Sequence, residues 1–299
     1  MSAVAARYPA GIIHSHGYKP DILLSVPGFA RQWIRVATCH AWYRETWRLR
    51  LWEYLDKRVL RGFDAVIPVS GQVESDLHAS AVPAQRITRI DNGIDAPKRD
   101  PALGASIRAE FKLAANDKLV VQIGRLAKSK RNDLLVEALG FLSKFAATHV
   151  VFVGDGEERA AIAALAERQQ LSHRIHFAGY RTDISAFLSA ADALAISSDY
   201  EGLPIVLLEA MAAQCPIVST RVGAIADVLT EGLSAWLVEP NDASRFAEAL
   251  GQVLLSPEEA LRRATQARIA FETRYSRRSM GEKYLQVYER TWLNRAFPI

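Results

Sequence analysis

The chain has 299 residues, 49% hydrophobic and 23% charged, with no low-complexity tract or long Gly/Pro run, which excludes collagen-like and disordered chains and predicts a globular protein. Lys and Arg number 37 against 33 Asp and Glu, a surplus too small to indicate a nucleic-acid-binding protein. Two cysteines, Cys39 and Cys215, lie far apart and match no metal-ligand spacing, which argues against a disulfide framework or zinc site and for a reducing compartment.

At roughly 100–200 residues per domain the length predicts two domains. Met1 to Arg7 lacks the basic-then-apolar order of a signal peptide, and no apolar run approaches the ~20 residues of a membrane span, so a soluble, cytoplasmic protein is expected. In the first hundred residues, Gly11–His14, Arg35–Cys39, Ala65–Val69 and Ile87–Ile90 read as strands, and Arg44–Leu60 as a helix. The spacing of Trp47, Leu51, Leu55 and Val59 gives that helix an apolar stripe. Residues 31–61 hold eight basic side chains against three acidic ones, together with Trp33, Trp42, Trp47 and Trp52. Such a stretch suits either an anionic membrane surface, where amphipathic aromatics sit at the headgroups, or a solvated helix with its tryptophans in the core.

Asn92-Gly93 is a turn dipeptide, and the polar stretch Pro97 to Pro101 is flanked by prolines, so a domain boundary is expected near residues 92–102. From Lys118 onward strands alternate with helices: Leu119–Ile123, Asp133–Phe145, His149–Val153, Arg159–Gln169, Arg174–Phe177, Ile184–Ala190, Leu194–Ser197, Ile205–Ala213, Ile217–Thr220, Ile225–Leu229, Ala235–Val238 and Ala243–Leu255. This rhythm predicts an α/β fold of βαβ units on a doubly wound parallel sheet, whose ligands bind at the carboxyl ends of the strands. Arg274–Asn294 reads as one or two closing helices.

The most informative segment runs Ser197-Ser198-Asp199-Tyr200-Glu201-Gly202-Leu203-Pro204-Ile205-Val206-Leu207-Leu208-Glu209-Ala210. A strand ends, a glycine-bearing loop turns, and Pro204 stands where a first helical residue is expected, with φ fixed and no N–H to leave unpaired. Free backbone N–H groups at a helix N-terminus favour phosphate. Glu209 lies about 7.5 Å along the axis from Pro204 at 1.5 Å per residue, so Glu201 and Glu209 are better placed to bracket an extended ligand than to share a metal. Upstream, Gly124-Arg125-Leu126-Ala127-Lys128-Ser129-Lys130 follows the first strand of this region. Gly124 permits close backbone approach, and Arg125 and Lys130 supply cations for a diphosphate leaving group, on which charge develops as its bond to carbon breaks.

Glu201-Gly202-Leu203-Pro204 followed by Glu209-Ala210-Met211-Ala212, with Gly-Arg-Leu and Lys130 upstream, resembles the retaining glycosyltransferase family called group 1 or family 4. His14-Ser15-His16-Gly17, Ala37-Thr38-Cys39-His40, Asp91-Asn92-Gly93, Gly154-Asp155-Gly156 and Phe177-Ala178-Gly179 follow in that family's order. The resemblance implies a GT-B fold, two Rossmann-like domains facing across a cleft. Residues 1–98 would form an incomplete acceptor-side domain, 99–273 the nucleotide-sugar donor domain, and 274–299 helices packing back toward the first. By the same resemblance Arg125 and Lys130 hold the donor diphosphate, Glu209 bonds the ribose, Glu201 faces the transferred sugar, and Gly202, Leu203 and Pro204 cover sugar and phosphate. His40 would contact the sugar from the first domain, whereas His14 and His16 are taken as structural. Anomeric configuration would be retained, and neither cofactor nor metal is expected, so Asp199-Tyr200-Glu201 only superficially offers a metal pair. Gly154-Asp155-Gly156 is read as a turn, since it lacks the full Gly-rich fingerprint.

The sequence departs from the family at Ala224, where a second glycine is common, at Cys215, where a glycine is usual, and at the front. The His-Ser-His-Gly segment begins at residue 14, so the first domain is expected to lack its first half. The reading is a glycosyltransferase acting from a nucleotide-diphosphate sugar onto a hydroxyl of a glycan or lipid-linked acceptor, in envelope or exopolysaccharide assembly, cytoplasmic or peripheral at the inner membrane face. Two alternatives stay open: a nucleotide-sugar 2-epimerase-like enzyme, and an inactive nucleotide-sugar-binding remnant.

Overall fold

The computed structural model describes residues 10–26, 32–40, 47–97, 99–142 and 147–296. The chain divides into two units, one made of Met1–Gly93 with Arg277–Ile299, the other of Ile94–Ser276.

The first unit is a three-stranded parallel sheet in the order β1 (Gly11–His16), β2 (Trp33–Cys39), β3 (Ala65–Pro68). Side chains alternate across the sheet, as a period of two requires. Ala37, Cys39 and Val66 pack on one face with Leu24, Leu60, Phe63 and Leu77. Ile34, Val36, Ala65 and Ile67 form the other face. Between strands run α1 (Tyr18–Leu24) and α2 (Trp47–Leu60), and after β3 comes α3 (Gly71–Ala79), whose N-cap Ser70 accepts from Val73 N.

Two expectations fail here. Trp47 and Leu51 of the proposed stripe are exposed, Leu55 and Val59 are only half-buried, and the buried positions of α2 are Asp56 and Leu60. The reason is that α2 packs on α1, which presents the buried Asp21, so a carboxyl group occupies the side where an apolar seam was expected. Ile87–Ile90 is not a regular strand: Thr88 N and Ile90 N donate to Val66 O and Pro68 O, leaving only a bridge at Ile87. Met1–Arg7, Arg31, Trp42, the helix onset at Arg44 and Phe145 lie outside the described residues.

The two units divide at Gly93/Ile94, within residues 92–102, and a helix begins at the far end of that stretch. Asp100 caps α4 (Pro101–Glu110) by accepting from Ala102 N and Leu103 N, and Pro101 fills the first turn, where its missing N–H costs nothing. The six parallel strands that follow are β4 (Lys118–Ile123), β5 (Thr148–Val153), β6 (Ile175–Gly179), β7 (Ala193–Ile196), β8 (Ile217–Thr220) and β9 (Trp236–Val238). Their order is β6-β5-β4-β7-β8-β9. The chain winds outward from β4 through β5 and β6, then returns to the other side of β4 as β7, which makes β4/β7 the switch point where such sheets receive ligands. Helices α5 (Asn132–Phe141), α6 (Arg159–Arg168), α7 (Ile184–Ala190), α8 (Ile205–Ala212), α9 (Ile225–Val228), α10 (Ala243–Leu255) and α11 (Pro257–Ala270) cover both faces. The last helix, α12 (Arg277–Ala296), belongs to the first unit, where Val287, Met280, Tyr284 and Tyr288 pack on the Ile34/Val36 face. Among the described residues no helix is long and apolar enough to cross a membrane.

Candidate functional site

At the switch point the loops after β4 and β7 are tied to one another. Ser197 Oγ donates to Lys130 O at 2.9 Å, and Asp199 N donates to Ser129 O at 3.0 Å. These bonds seat the short 3₁₀ turn Lys128–Lys130 against the loop that carries Glu201. Lys130 Nζ then lies 2.6 Å from Glu201 Oε1, and Ser198 Oγ donates to the same oxygen at 2.6 Å. Glu201 is 8% exposed, so its charge is held by one cation and one hydroxyl, and Oε2 is the oxygen left to a ligand.

Gly124, Arg125, Lys130, Ser198, Glu201 and Val206 line one small cavity. Arg125 is exposed and pairs with Glu157 at 3.1 Å, also exposed, an ion pair of little strength that a ligand anion can outcompete. Gly124 has φ +147 with nothing near its Cβ position, an open backbone surface on the cavity wall. Gly202 is exposed, and Leu203 and Pro204 are half-buried. Pro204 is the N-cap of α8 with ψ 130, one position before the helix rather than its first residue, because Leu207 N turns back to its carbonyl. The helix N–H groups are therefore as free as expected, beginning at Ile205.

Glu209, one turn into α8, is half-buried. Burial raises its pKa above the ordinary glutamate value, and among the described residues its carboxyl forms no ion pair. Asp199 points elsewhere: Arg131 holds it at 3.2 Å while also gripping Asp133 and Asn241. Arg131 sits at φ 46, a left-handed conformation uncommon for a non-glycine residue, and this set of charge-assisted bonds stabilises it there. Asp199 and Glu201 are thus held by separate cations, Arg131 and Lys130.

Ser198 went unnoticed in the sequence, where its only signal was a polar residue at a strand end beside the glutamate loop. Gly223 is the second such residue. Its φ is +49, and a Cβ there would overlap the carbonyl oxygen of Glu201. Ala224 has φ −69 and ψ −10, ordinary helical values, so the second family glycine is dispensable. Cys215 is fully buried and its N–H is satisfied by Ala210 O. Gly154-Asp155-Gly156 is not itself the expected turn: Gly154 bridges to Gly179, Asp155 and Gly156 are loop, and the turn follows at Glu157–Glu158, where Arg159 N donates to Gly156 O at 3.2 Å.

His40 belongs to the other unit, just past β2. Its Nε2 lies 3.3 Å from Nδ1 of His16, and its pKa is lowered by burial and by that neighbour. His14 stacks under His16 with ring centroids 4.6 Å apart. Both nitrogens of His14 are engaged, Nδ1 with Tyr288 OH at 2.6 Å and Nε2 with Thr38 Oγ1 at 2.8 Å. Burial, reinforced by His16 and His40, lowers the pKa of His14 to about 4, so this ring is neutral at physiological pH.

Residues 105–270 match the family model described as glycosyl transferases group 1, and residues 1–97 the model described as glycosyltransferase family 4. The chain is 31% identical over 180 residues to the lipopolysaccharide core biosynthesis glycosyltransferase LpsE of Rhizobium meliloti, covering 60% of this chain and 52% of that protein. It is 27% identical over 228 residues to N-acetyl-alpha-D-glucosaminyl L-malate synthase of Bacillus anthracis, covering 75% and 59%. The chain thus spans just over half the length of these curated relatives. Among solved structures, Anabaena HepE in complex with UDP superposes with a TM-score of 0.84 at 20% identity, over 96% of this chain and 80% of that one. HepE in complex with UDP-glucose gives 0.77 over the same shares, again at 20% identity. These likenesses establish the GT-B fold.

Proposed function

This chain belongs to the group 1 glycosyltransferases, and from that premise we propose that it transfers a sugar, with retention of anomeric configuration and without a metal, from a nucleoside-diphosphate sugar to a hydroxyl acceptor. The observation that carries the reading is the Lys130–Glu201 pair, held at 2.6 Å at the switch point, one loop before a helix N-terminus and a half-buried, unpaired Glu209. On this reading Lys130 and Arg125 take the diphosphate, with Gly124 and the α8 N–H groups beside it. Glu209 accepts from the ribose hydroxyls, Glu201 from the sugar, and Gly202, Leu203 and Pro204 cover both. His40 is proposed to bond the sugar.

The bond from the anomeric carbon to the diphosphate oxygen breaks as the acceptor oxygen bonds to the same face of that carbon. The acceptor proton passes to the departing phosphate oxygen, so atoms and charge balance with no covalent enzyme intermediate. Negative charge grows on the leaving group, and fixed cations and helix N–H groups stabilise it most where it is greatest, in the transition state.

Calorimetric titration of the chain with UDP, GDP and ADP and their sugars, with and without chelator, tests the donor site. One nucleotide is expected to bind, indifferent to chelator. Loss of binding on chelation would overturn the metal-independent reading, and no binding by the folded chain would overturn the donor reading.

The acceptor is proposed to be a glycan or lipid-linked hydroxyl in envelope or exopolysaccharide assembly, in keeping with the relative from lipopolysaccharide core biosynthesis. An anionic membrane surface is the accompanying proposal for residues 31–61, of which 31 and 41–46 lie outside the described residues. On α2, Trp47 is 71% exposed, Tyr54 59% and Leu51 49%, amid Arg48, Arg50 and Arg58. Apolar side chains beside cations fit an anionic headgroup layer. Flotation with vesicles containing phosphatidylserine is expected to carry the protein at low salt and release it at high salt. Equal flotation with neutral phosphatidylcholine vesicles, or none with either, would remove the charge argument.

A further inference from the structure

The first unit gathers cations at the amino end of its sheet, where sugar transfer has no use for them. A cavity of about 720 Å³ opens there, lined by Asp64, Gln85 and Arg86 together with Arg290, Asn294 and Arg295 of α12. All six belong to one unit. They surround the starts of β2 and β3, whereas His14, His16 and His40 stand at the other end of the strands.

Each guanidinium is seated on a neutral oxygen. Arg86 Nη1 donates to Phe63 O at 3.0 Å and to Arg61 O at 3.1 Å. Arg290 Nη2 donates to Thr88 Oγ1 at 2.6 Å, and Arg295 Nη1 to Trp33 O at 2.8 Å. Such bonds fix where the group lies, but they occupy only some of its five N–H donors and cancel none of its charge. Asp64 is the one acid in the lining, and it is already engaged, accepting from Arg35 N at 2.8 Å and lying 3.5 Å from Arg295. Among the described residues, Arg86 and Arg290 form no ion pair. The helix dipole accounts for a cation at Arg295, in the last turn of α12. It does not account for Arg290, more than a turn earlier.

We propose that this cavity is an anion site, separate from the donor site, that takes a phosphoryl group. A guanidinium fork donates paired bonds to phosphate oxygens, and a tetrahedral phosphoryl group offers oxygens in several directions, which suits cations arriving from both a turn and a helix. A planar carboxylate is served by one fork. The volume lies within the roughly 300–1,000 Å³ of small-molecule sites, so there is room for the molecule that bears the phosphate. The headgroup of an anionic lipid brings the same chemistry, and the experiment separates the two sources.

Pyrophosphate is titrated calorimetrically into the full chain in the presence of excess UDP, which fills the donor site. Arg278 is on the same helix, outside the cavity and 89% exposed, so R278E changes the net charge as much as R290E does. The wild type is expected to bind one pyrophosphate. Affinity should fall 10-fold or more in R290E, where a charge-assisted hydrogen bond is lost, less in R290K, which keeps the charge without the fork, and not at all in R278E. Pyrophosphate should also raise the melting temperature of the wild type and not that of R290E. Should R290E fail to fold, R290K decides by its affinity alone. No binding by the wild type, or an equal loss in R278E, overturns the proposal. A chain that loses pyrophosphate in R290E but never bound UDP keeps this site and loses the donor reading. Flotation on vesicles containing phosphatidic acid then gives the source. Weaker flotation of R290E than of R278E assigns a lipid headgroup, and equal flotation with pyrophosphate binding lost assigns a soluble phosphate.

Discussion

Replacing Lys130 with methionine is expected to lower turnover of UDP-glucose by 100- to 1,000-fold, the range seen when one donor to a developing anion is removed from an active site, and to lower stability by about 1.5–3 kcal/mol. The second effect follows from burial. Glu201 is 8% exposed, and without the ammonium group at 2.6 Å its carboxylate keeps only the Ser198 hydroxyl. Removing one partner of a desolvated pair exposes the full cost of the other. The double variant K130M/E201Q removes both charges, leaving a neutral amide that Ser198 can still satisfy. Urea unfolding should therefore place the double variant close to the wild type, while its turnover stays lost. A double variant that regains transfer would show that Lys130 only seats the loop. A single variant as stable as the wild type would show that the pair is not held in solution.

Glu209 should behave in the opposite way. Its carboxyl is half-buried and burial raises its pKa, so in the free protein it stays partly protonated at a pH where an exposed glutamate is ionised. Only the carboxylate can accept from both ribose hydroxyls. UDP affinity should therefore rise with pH through this raised value and level off above it, and the rise should vanish in E209Q. The phosphate of UDP also titrates, but it does so for both proteins, and the wild-type to E209Q affinity ratio isolates the carboxyl. At neutral pH that ratio is expected to be 10-fold or more, since a hydrogen bond to a charged acceptor contributes about 1.5–3 kcal/mol.

The stability sign is reversed as well. An acid whose folded pKa lies above its unfolded one binds more protons in the native state, so stability falls as pH rises from the unfolded value through the folded one. E209Q should thus be at least as stable as the wild type at neutral pH. Calorimetric titration from pH 5 to pH 8 checks the affinity, and urea unfolding at the same pH values checks the sign. A flat affinity ratio would remove Glu209 from the ribose.

The donor half was legible because its chemistry is local. The loop with Glu201 and Gly202 and the helix carrying Glu209 are consecutive in the chain, Gly124 ends a strand well upstream, and the parallel sheet brings the two loops together at its switch point. What was not legible depended on partners distant in sequence. His14 meets Tyr288 across 274 positions, and nothing in residues 274–299 distinguishes a tyrosine that will bond a histidine from one that fills a core. The α2 stripe failed for a related reason. Amphipathic periodicity assumes that the apolar side is the buried side, but α1 offers Asp21, whose pKa burial raises to about 8, and the face of α2 that meets it carries Asp56.

The placement of α12 has a genetic consequence. The first unit is encoded in two stretches separated by the entire second unit. A stop codon between codons 94 and 276 leaves all three strands of the first sheet but removes Val287 from beside Ile34 and Val36 and both tyrosines from beneath the histidines. A plasmid meant to express this unit alone therefore has to join codon 93 to codon 277 rather than simply stop.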